Sequence, residues 1–259
     1  MSARIRRAVI DGSRCAGVGH IGSSLSIADV LAAVYGATLR GELDDPDRDR
    51  FILSKGHAAL ALYAALMEAG HLSREQFETY CADGTVVGGH PEHALDGVEF
   101  STGSLGHGLS IGAGVALGER LRRSPSRVFV LISDAECNEG SVWEAVMFAA
   151  HHRLANLVAI VDANGQQALG RTSEVLDLEP MRDRWLAFGW NAQEVDGHDP
   201  HALAAAFGEL RADSGPPHVV VARTTFGKGV LFMEGEVDWH YLPMSEDQYR
   251  TALADLDRL

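Results

Sequence analysis

Cysteine is scarce in this sequence and long apolar runs are absent, and each shortage excludes a class of protein. The three cysteines, Cys15, Cys81 and Cys137, have neither paired nor Cys-x-x-Cys spacing, which argues against a zinc site and for a reducing cytoplasm. No run reaches the roughly 18 to 20 apolar residues of a membrane-spanning helix. The basic N-terminus, Met1 to Arg7, lacks a following apolar signal core, so we expect it to begin a helix. We therefore predict a cytoplasmic protein with no membrane partner.

Positive charge is also in short supply. The chain has 22 Lys and Arg residues against 36 Asp and Glu residues, a formal net charge of −14 that argues against non-specific binding to nucleic acid. This balance does not say which small anion a local site could hold. A hydrophobic fraction of 46% supplies a core, and no internal repeat, low-complexity tract or long linker divides the 259 residues. We expect a single domain over residues 1–259.

Short apolar runs alternate with helix-length patterns along the chain. This alternation predicts an α/β fold with a doubly wound, mainly parallel sheet flanked by helices. Short continuous apolar strands are typical of a sheet that is buried on both faces. The predicted strands lie near residues 51–53, 128–132, 157–161, 191–195 and 218–223. The predicted helices lie near residues 3–17, 26–39, 57–69, 73–80, 106–122, 140–152, 180–188, 200–212 and 245–257.

Residues 128–164 form the part of the chain around which the predicted site is organised. Two runs rich in β-branched residues flank one helix, which is typical of a βαβ unit with parallel strands. Asp134 follows the first strand and Asn164 follows the second, so their side chains should converge at the carboxyl edge of the sheet, where open α/β sheets bind ligands. The helix face expected to cover the sheet consists of Val142, Trp143, Val146, Met147 and Ala150.

Asp134, Asn164 and nearby loop carbonyls together offer hard oxygen ligands. Such a set suits Mg²⁺ or Ca²⁺, with diphosphate oxygens and water completing the coordination shell. The alternative is that both residues are ordinary turn formers at strand ends.

The spacing of these residues resembles a known cofactor motif. Asp134, the acidic Glu139 five positions later and Asn164 thirty positions after Asp134 resemble the thiamine-diphosphate motif, usually Gly-Asp-Gly followed by Asn. The flanking segment 139–152, EGSVWEAVMFAAHH, is similar to the transketolase version of that motif. The resemblance to transketolases extends from about Arg6 to Leu256, and it implies thiamine diphosphate and Mg²⁺ (or Ca²⁺) as cofactors.

The resemblance also implies roles for the residues of this motif. The implied metal ligands are Asp134, Asn164 and the backbone carbonyl of Gln166. The implied cofactor-binding residues beside them are Ala135, Glu136 and Glu139, and the family counterpart of Glu139 lies at the centre of the subunit contact. Ser133 and Ala135 stand where glycines are commonest, and we expect the methyl group of Ala135 to be tolerated if its φ stays negative.

Two further histidines lie in loops that precede helices. His20 lies in the glycine-flanked loop 19–26, and the resemblance implies that it lines the substrate channel as a catalytic residue. The alternative for that loop is a helix cap provided by one of its serines. His57 ends a Ser-Lys-Gly-His turn that suits anions, and the resemblance implies a place near the cofactor diphosphate. The alternative for His57 is a histidine satisfied by a backbone carbonyl.

A long glycine-rich connector, residues 88–108, holds a third histidine. The resemblance implies that His90 contacts substrate hydroxyls as a catalytic residue and that the backbone of Gly103, Ser104 and Leu105 approaches the cofactor rings. Glycines at positions 103, 106 and 108 permit such an approach. Most transketolases have Pro in place of Ser104, and several have Gln in place of His107. The alternative is a structureless connector, although loops of this length are usually functional.

The segment 224–240, which includes Gly-Lys-Gly-Val and ends in Asp-Trp-His, resembles that of small or two-part transketolases. The resemblance implies that His240 lies beside the diphosphate and the reacting carbonyl, both binding cofactor and contributing to catalysis. Tyr241 replaces the usual Gly, which should narrow the site locally. We assign Lys228 no catalytic role.

The resemblance covers one domain of a larger enzyme. A full transketolase continues into a pyrimidine-binding domain and a C-terminal domain, which carry the glutamate that activates the cofactor. The chain is thus expected to be the diphosphate-binding subunit of a split transketolase-like enzyme, acting on a sugar phosphate or 2-oxo donor. It should pair with a separate pyrimidine-binding and C-terminal subunit in an α2β2 heterotetramer that includes a homodimeric contact. Loops 101–108 and 165–180 should be mobile until cofactor and partner bind.

A function of another class is kept beside this one. A non-catalytic transketolase paralogue that acts as a partner-binding protein would be consistent with Ser133, Ala135, Ser104 and Tyr241. Asp134, Asn164 and four matched histidines favour the enzyme.

Overall fold

Parallel strands form the centre of the molecule in the computed structural model, which describes residues 1–210 and 212–258. The main sheet has the order β1-β2-β3-β7-β6, and every neighbouring pair is parallel. A short antiparallel hairpin, β4–β5, stands apart from it. The strands are β1 Arg50–Leu53, β2 Val128–Ser133, β3 Leu157–Ala163, β4 Gln166–Gln167, β5 Gly170–Arg171, β6 Asn191–Asp196 and β7 His218–Arg223. These bounds confirm the predicted fold class and each predicted strand to within two residues.

Helices cover both faces of the sheet. The α-helices are α1 Ser2–Ala16, α2 Ile21–Ser26, α3 Ala28–Ala33, α4 Ala59–Glu68, α5 Arg74–Phe77, α6 Gly108–Arg122, α7 Gly140–His151, α8 Thr172–Val175, α9 Met181–Ala187, α10 Pro200–Gly208 and α11 Glu246–Leu256. A π-helical segment, Val34–Thr38, follows α3. The predicted helix 200–212 ends at Gly208, and its residue Arg211 lies outside the described residues, as does Leu259.

The core is divided by the sheet into two layers. Phe129 and Leu131 point to the layer formed with α1 to α4, α10 and α11, whereas Val128, Val130 and Ile132 point to the layer formed with α6, α7 and α9. This alternation has the period of two that a β-strand imposes on its side chains. Because both layers are apolar, β2 and β3 are buried along their whole length.

Four local expectations were wrong. The helix predicted at 26–39 begins at Ile21 and is interrupted at Ile27, so the serines expected to cap it lie inside α2 and are buried. Strand β6 is polar and only partly buried because it forms the edge of the sheet. On α7, Met147 is 50% exposed, and the fully buried positions are Val142, Ala145, Val146 and Ala149. The residues 165–180 expected as a loop contain the β4–β5 hairpin and α8.

In the residues that the structure describes, no helix has the length and apolarity to cross a membrane. The thiols of Cys15, Cys81 and Cys137 are unpaired, and only that of Cys137 is buried.

Candidate functional site

The carboxyl ends of β1, β2, β3 and β7 open onto a cavity of about 80 Å³. That volume has room for a phosphate-sized group or a few water molecules. The lining residues are Ser23, His57, Leu105, Ser133, Ala135, Asn164, Gln166, Gln167, Ala168, Phe226 and His240. The sheet edge predicted to hold the site is therefore the edge that holds this cavity.

Asp134 and Asn164 meet at the ends of neighbouring strands. The Asp134 carboxylate accepts hydrogen bonds from the backbone N–H groups of Ala135 and Gly165, both at 2.8 Å. The Asn164 amide oxygen accepts one from the backbone N–H of Gln166 at 2.9 Å. Because β2 and β3 pair in register up to Ser133 and Asp162, the loops that follow them begin side by side. The predicted convergence of the two side chains is confirmed.

A buried ion pair lies beneath these two residues. The Lys55 ammonium donates to the Asp162 carboxylate at 2.5 Å, and both side chains are completely buried. The same carboxylate accepts hydrogen bonds from Ser26, Asn164 and Thr224 at 2.5 to 2.8 Å. We did not predict roles for Lys55 or Asp162, although Lys55 lies in the Ser-Lys-Gly-His turn and Asp162 lies two residues before Asn164. The place of each residue within a predicted site segment was the only indication in the sequence that it could belong to the site.

The negative charge at this edge exceeds the positive charge that balances it. Burial and the neighbouring Asp162 carboxylate raise the pKa of Asp134 to about 7, against the opposing effect of its two backbone N–H partners and Lys55. Two buried carboxylates thus share the single ammonium of Lys55. An uncompensated buried carboxylate is costly, and a bound cation is one way to stabilise it. Within residues 1–210 and 212–258, no group of three or more His, Cys, Asp or Glu side chains is arranged to hold a metal, so any cation here would also need amide or carbonyl oxygens.

Glu136 and Glu139 lie away from the cavity. Glu136 is fully buried, and its carboxylate accepts hydrogen bonds from the Ser54 hydroxyl at 2.5 Å and the Gly106 N–H at 2.8 Å. It thereby ties the β1 turn and the 101–108 loop to the end of β2. Glu139 is exposed at the start of α7, the helix that carries the exposed Met147.

Three histidine rings cluster beside the cavity. The ring centroids of His20, His57 and His240 lie 5.2 to 5.5 Å apart, and the Ser23 hydroxyl lies 2.8 Å from His57 Nε2. Burial, His20 and Lys55 lower the pKa of His240 to about 4. Burial, followed by Lys55 and the other histidines, holds the pKa of His57 well below its usual value, and burial and His90 lower the pKa of His20. All three imidazoles are therefore neutral near pH 7.

Several buried polar atoms around the cavity have no hydrogen-bond partner in the described part of the chain. They include Nδ1 of His20, Nδ1 of His240 and the side-chain oxygen of Gln166. Buried polar atoms are normally satisfied, so unpartnered ones at a cavity indicate a place for a polar ligand.

His90 and the glycine-rich loop line a second, neighbouring cavity. Its volume is about 440 Å³, and His90, Gly103, Ser104 and His107 contribute to its wall, whereas Leu105 faces the first cavity. At Gly106, which has a φ of 87°, an added Cβ would lie 2.5 Å from the Ser141 hydroxyl. Glycine at that position therefore also allows the loop to pack closely on the start of α7.

Tyr241 reaches from the histidine cluster to the β4–β5 hairpin. Its hydroxyl donates to the Ala168 carbonyl at 2.6 Å, and its side chain stays largely exposed. A Cβ at Gly19 would lie 2.3 Å from the Tyr241 carbonyl oxygen, so the loop before α2 approaches this segment too closely for any other residue. Tyr241 thus links the segment after His240 to Ala168, which lines the first cavity.

The substitutions in the Gly-Asp-Gly position leave the backbone regular. Ala135 is not among the residues with positive φ, so its methyl group causes no backbone strain. The Ser133 hydroxyl accepts a hydrogen bond from the Glu136 N–H at 3.0 Å and closes the short turn after β2.

The sequence is similar to those of transketolases over nearly its whole length. The family model described as "Transketolase, thiamine diphosphate binding domain" matches residues 1–256. The chain is 40% identical over 258 residues to an apulose-4-phosphate transketolase subunit of Phocaeicola vulgatus, covering 98% of this chain and 92% of that one. It is 38% identical over 258 residues to a 6-deoxy-6-sulfo-D-fructose transketolase subunit of a Clostridium species, covering 98% and 94%.

Solved structures show the same likeness over a smaller share of their length. The transketolase from Leishmania mexicana superposes with a TM-score of 0.91 at 29% identity, over 99% of this chain and 40% of that chain. The transketolase from Campylobacter jejuni gives 0.90 at 28% identity, over 99% and 42%. The chain therefore spans about 40% of these longer transketolase chains.

Proposed function

The chain belongs to the transketolase family, because the thiamine diphosphate binding domain of that family matches residues 1–256. We propose that it is the diphosphate-binding subunit of a two-subunit, thiamine-dependent transketolase. The observation that carries the proposal is the meeting of Asp134, Asn164 and the unpartnered polar atoms of His20, His240 and Gln166 at one sheet edge. Two relatives of similar length are themselves named transketolase subunits, which supports the two-subunit form. The unpaired thiols are consistent with a cytoplasmic location.

Mg²⁺ (or Ca²⁺) would be held by the Asp134 carboxylate, the Asn164 amide oxygen and the backbone carbonyl of Gln166. These are hard oxygen donors of the type that both ions prefer. The excess of buried carboxylate over ammonium at this edge gives the cation an electrostatic role as well.

The cofactor would lie along the cavity, with its diphosphate against the turn that holds His57 and against the end of β2 at Ala135. The backbone at Gly103, Ser104 and Leu105 would flank its rings, and Glu136 would act by fixing that loop through the Gly106 N–H. When bound, thiamine diphosphate supplies the carbanion chemistry that moves a two-carbon ketol unit from a ketose or 2-oxo donor to an acceptor.

His20, His90 and His240 would act on the substrate rather than on the metal. Neutral imidazoles can donate or accept a hydrogen bond and can take up or release a proton at Nδ1 or Nε2. The unpartnered Nδ1 atoms of His20 and His240 are free for that purpose. Positioned groups of this kind typically contribute about 10² to 10⁴ in rate.

The partner subunit would bind over exposed apolar side chains near the site. Met147 is 50% exposed and Phe148 41% exposed on α7, while Leu169, at the hairpin, is 81% exposed. Glu139 lies on the same side at the start of α7, which fits a place in a subunit contact. An obligate interface of this type buries on the order of 2,000 Å² or more, and an α2β2 assembly is the simplest that contains both contacts.

The experiment that tests the proposal compares the chain alone with the chain mixed with a separate pyrimidine-binding transketolase subunit. Alone, the chain should show no ketol transfer; mixed, it should form an even-numbered complex with transfer activity, measured by analytical ultracentrifugation and a coupled assay. The double variant Met147→Glu, Phe148→Glu should prevent assembly. Thr251→Glu with Ala254→Glu, on the outer face of α11, introduces the same charge and should leave assembly intact. Full turnover by the isolated chain would refute the two-subunit proposal.

A further inference from the structure

A third cavity lies at the opposite end of the sheet from the candidate site. This arginine cavity, which is separate from the two cavities described above, has a volume of about 610 Å³, and its wall includes Arg40, Arg120, Arg123, Arg127 and Arg153. Arg127 immediately precedes β2, and Asn156 on the same wall immediately precedes β3. The six residues of β2 therefore separate this arginine cavity from Asp134 by roughly 20 Å at about 3.3 Å per residue.

The concentration of positive charge is unusual for this chain, whose formal net charge is −14. Asp213 is the acidic residue on the cavity wall, so positive charge predominates there. Neighbouring arginines repel one another, and the arrangement becomes favourable when an anion lies between them.

Two of the arginines are fixed in place. The buried Asp49 carboxylate accepts hydrogen bonds from Arg40 at 2.8 Å and from Arg127 at 2.6 Å. The Arg127 guanidinium also donates to the Thr38 carbonyl at 2.6 Å and lies 4.9 Å from the centre of the Phe129 ring. One carboxylate holds two guanidinium groups, which leaves a net positive charge at the floor of the cavity.

The other arginines are exposed and lack an acidic partner. Arg120 donates to the His152 carbonyl. Arg123 and Arg153 form no ion pair with any of the described residues. The contrast with Arg122 is informative, because that neighbour points away and is neutralised by Glu119 at 3.0 Å and Asp47 at 3.6 Å.

The backbone at Arg123 and Arg153 gives a second, independent indication. Arg123 ends α6 with a φ of 61°, and Arg153 follows α7 with a φ of 50°, so both lie in the left-handed region. Each closes its helix with the paired backbone hydrogen bonds for which glycine is the favoured residue. A cation near a helix C-terminus is favourable, but Arg120 and Arg122 already supply charge to the last turn of α6. Glycine would close both helices with less backbone strain than arginine, so a role of these two side chains in the cavity would account for arginine at both positions.

We propose that the arginine cavity is a binding site for a small phosphorylated metabolite, distinct from the cofactor site. The guanidinium fork matches the oxygens of a phosphate group in a bidentate manner. The cavity volume falls within the roughly 300 to 1,000 Å³ of small-molecule sites, which leaves room for an organic body beside the phosphate. This proposal does not depend on the partner subunit or on the transfer reaction.

The test uses inorganic pyrophosphate as the probe, titrated calorimetrically into the full chain in EDTA and moderate salt. The parent should bind, and Arg123→Gly with Arg153→Gly should weaken binding at least tenfold while the melting temperature stays equal or rises. Arg7→Gln with Arg250→Gln changes the charge equally on α1 and α11 and should retain the parent affinity.

Three outcomes would overturn the proposal. The parent could fail to bind at millimolar pyrophosphate, the glycine variant could bind as tightly as the parent, or the Arg7 and Arg250 control could be weakened equally. If the glycine variant did not fold, Arg123→Lys with Arg153→Lys would decide. Lysine keeps the charge but lacks the fork, so its binding should be weaker than that of the parent, and unchanged affinity would contradict the proposed bidentate recognition.

Discussion

Charged side chains are buried at the carboxyl end of the sheet and mostly exposed at the amino end. At the carboxyl end, Lys55, Asp162, Asp134 and Glu136 are buried, and each carboxylate is hydrogen-bonded to backbone or side-chain donors. At the amino end, most of the arginines are exposed, and only Arg127 is largely covered. A buried charge requires partners, whereas an exposed one is solvated by water. The carboxyl end therefore holds its charges in a buried network, whereas at the amino end only Asp49 and Arg127 are held in that way.

The ionisable groups at the two ends also differ in how they respond to pH. Burial lowers the pKa of His20, His57 and His240, and that of His240 falls to about 4, so these imidazoles take up a proton only below neutral pH. Arginine keeps its charge at every accessible pH. The protein's own groups should therefore make ligand binding depend on pH at the carboxyl end, whereas the arginines at the amino end should make it depend mainly on salt.

Replacing Lys55 should have the largest effect and would test the contrast in burial directly. Lys55→Met leaves the buried Asp162 carboxylate without its ammonium partner, and breaking such a pair costs about 3 to 5 kcal/mol. The free energy of unfolding from urea titration at pH 7 measures it. The matched control is Arg40→Met at the amino end. The Arg40 side chain is 56% exposed, so its ion pair with Asp49 should contribute about 1 kcal/mol or less to the free energy of unfolding. Equal costs for the two variants would remove the distinction between the two ends.

Replacing Asp134 should have the next largest effect, on ligand binding rather than on folding. Asp134→Ala removes a proposed metal ligand, so the Mg²⁺-dependent affinity for thiamine diphosphate should fall about 100-fold, or about 2.7 kcal/mol. Stability without ligand should be equal or higher, because the repulsion with Asp162 is lost. Calorimetry of the complex with its partner and thermal melts of the chain measure the two quantities. The control is Asp213→Ala, on the wall of the arginine cavity, which should bind cofactor as the parent does. If Asp134→Ala also bound cofactor as tightly as the parent, the metal assignment would be wrong.

The dependence of stability on pH should be the smallest of the three effects. His240 is neutral in the folded state with a pKa of about 4, whereas in the unfolded chain it takes up a proton below about 6.5. Stability should therefore fall as the pH is lowered from about 6.5 to about 4, by about 2 kcal/mol from His240 after allowance for its partial exposure. His20, His57 and Lys55 face the same ring and act in the same direction.

Urea unfolding at pH 7.5 and pH 5 measures this effect. His240→Gln should reduce the difference in unfolding free energy between the two pH values, because glutamine does not titrate. Arg123→Gln at the amino end should leave that difference unchanged. A parent protein that became more stable at pH 5 would show that the histidine cluster is not held neutral.

Local patterns were sufficient to predict much of this molecule. Continuous apolar runs rich in β-branched residues indicated β2, β3 and β7, because strands that are buried on both faces leave such runs in the sequence. The positions of Asp134 and Asn164 followed from those strands, since neighbouring parallel strands end at the same edge. His57 and His240 were assigned from short motifs, and the structure places both at the cavity.

The fold class and the five strands of the main sheet could thus be predicted from sequence alone, whereas the β4–β5 hairpin could not. Only the three-dimensional structure shows that Lys55 pairs with Asp162 and that Ser23 contacts His57. It also shows that Met147 is exposed, although helical periodicity had predicted it in the core. It also decided that the arginines before β2 and after α6 and α7 share one cavity. The physical reason is that these contacts join residues distant along the chain. The strand order β1-β2-β3-β7-β6 brings them together, and no local pattern records that order.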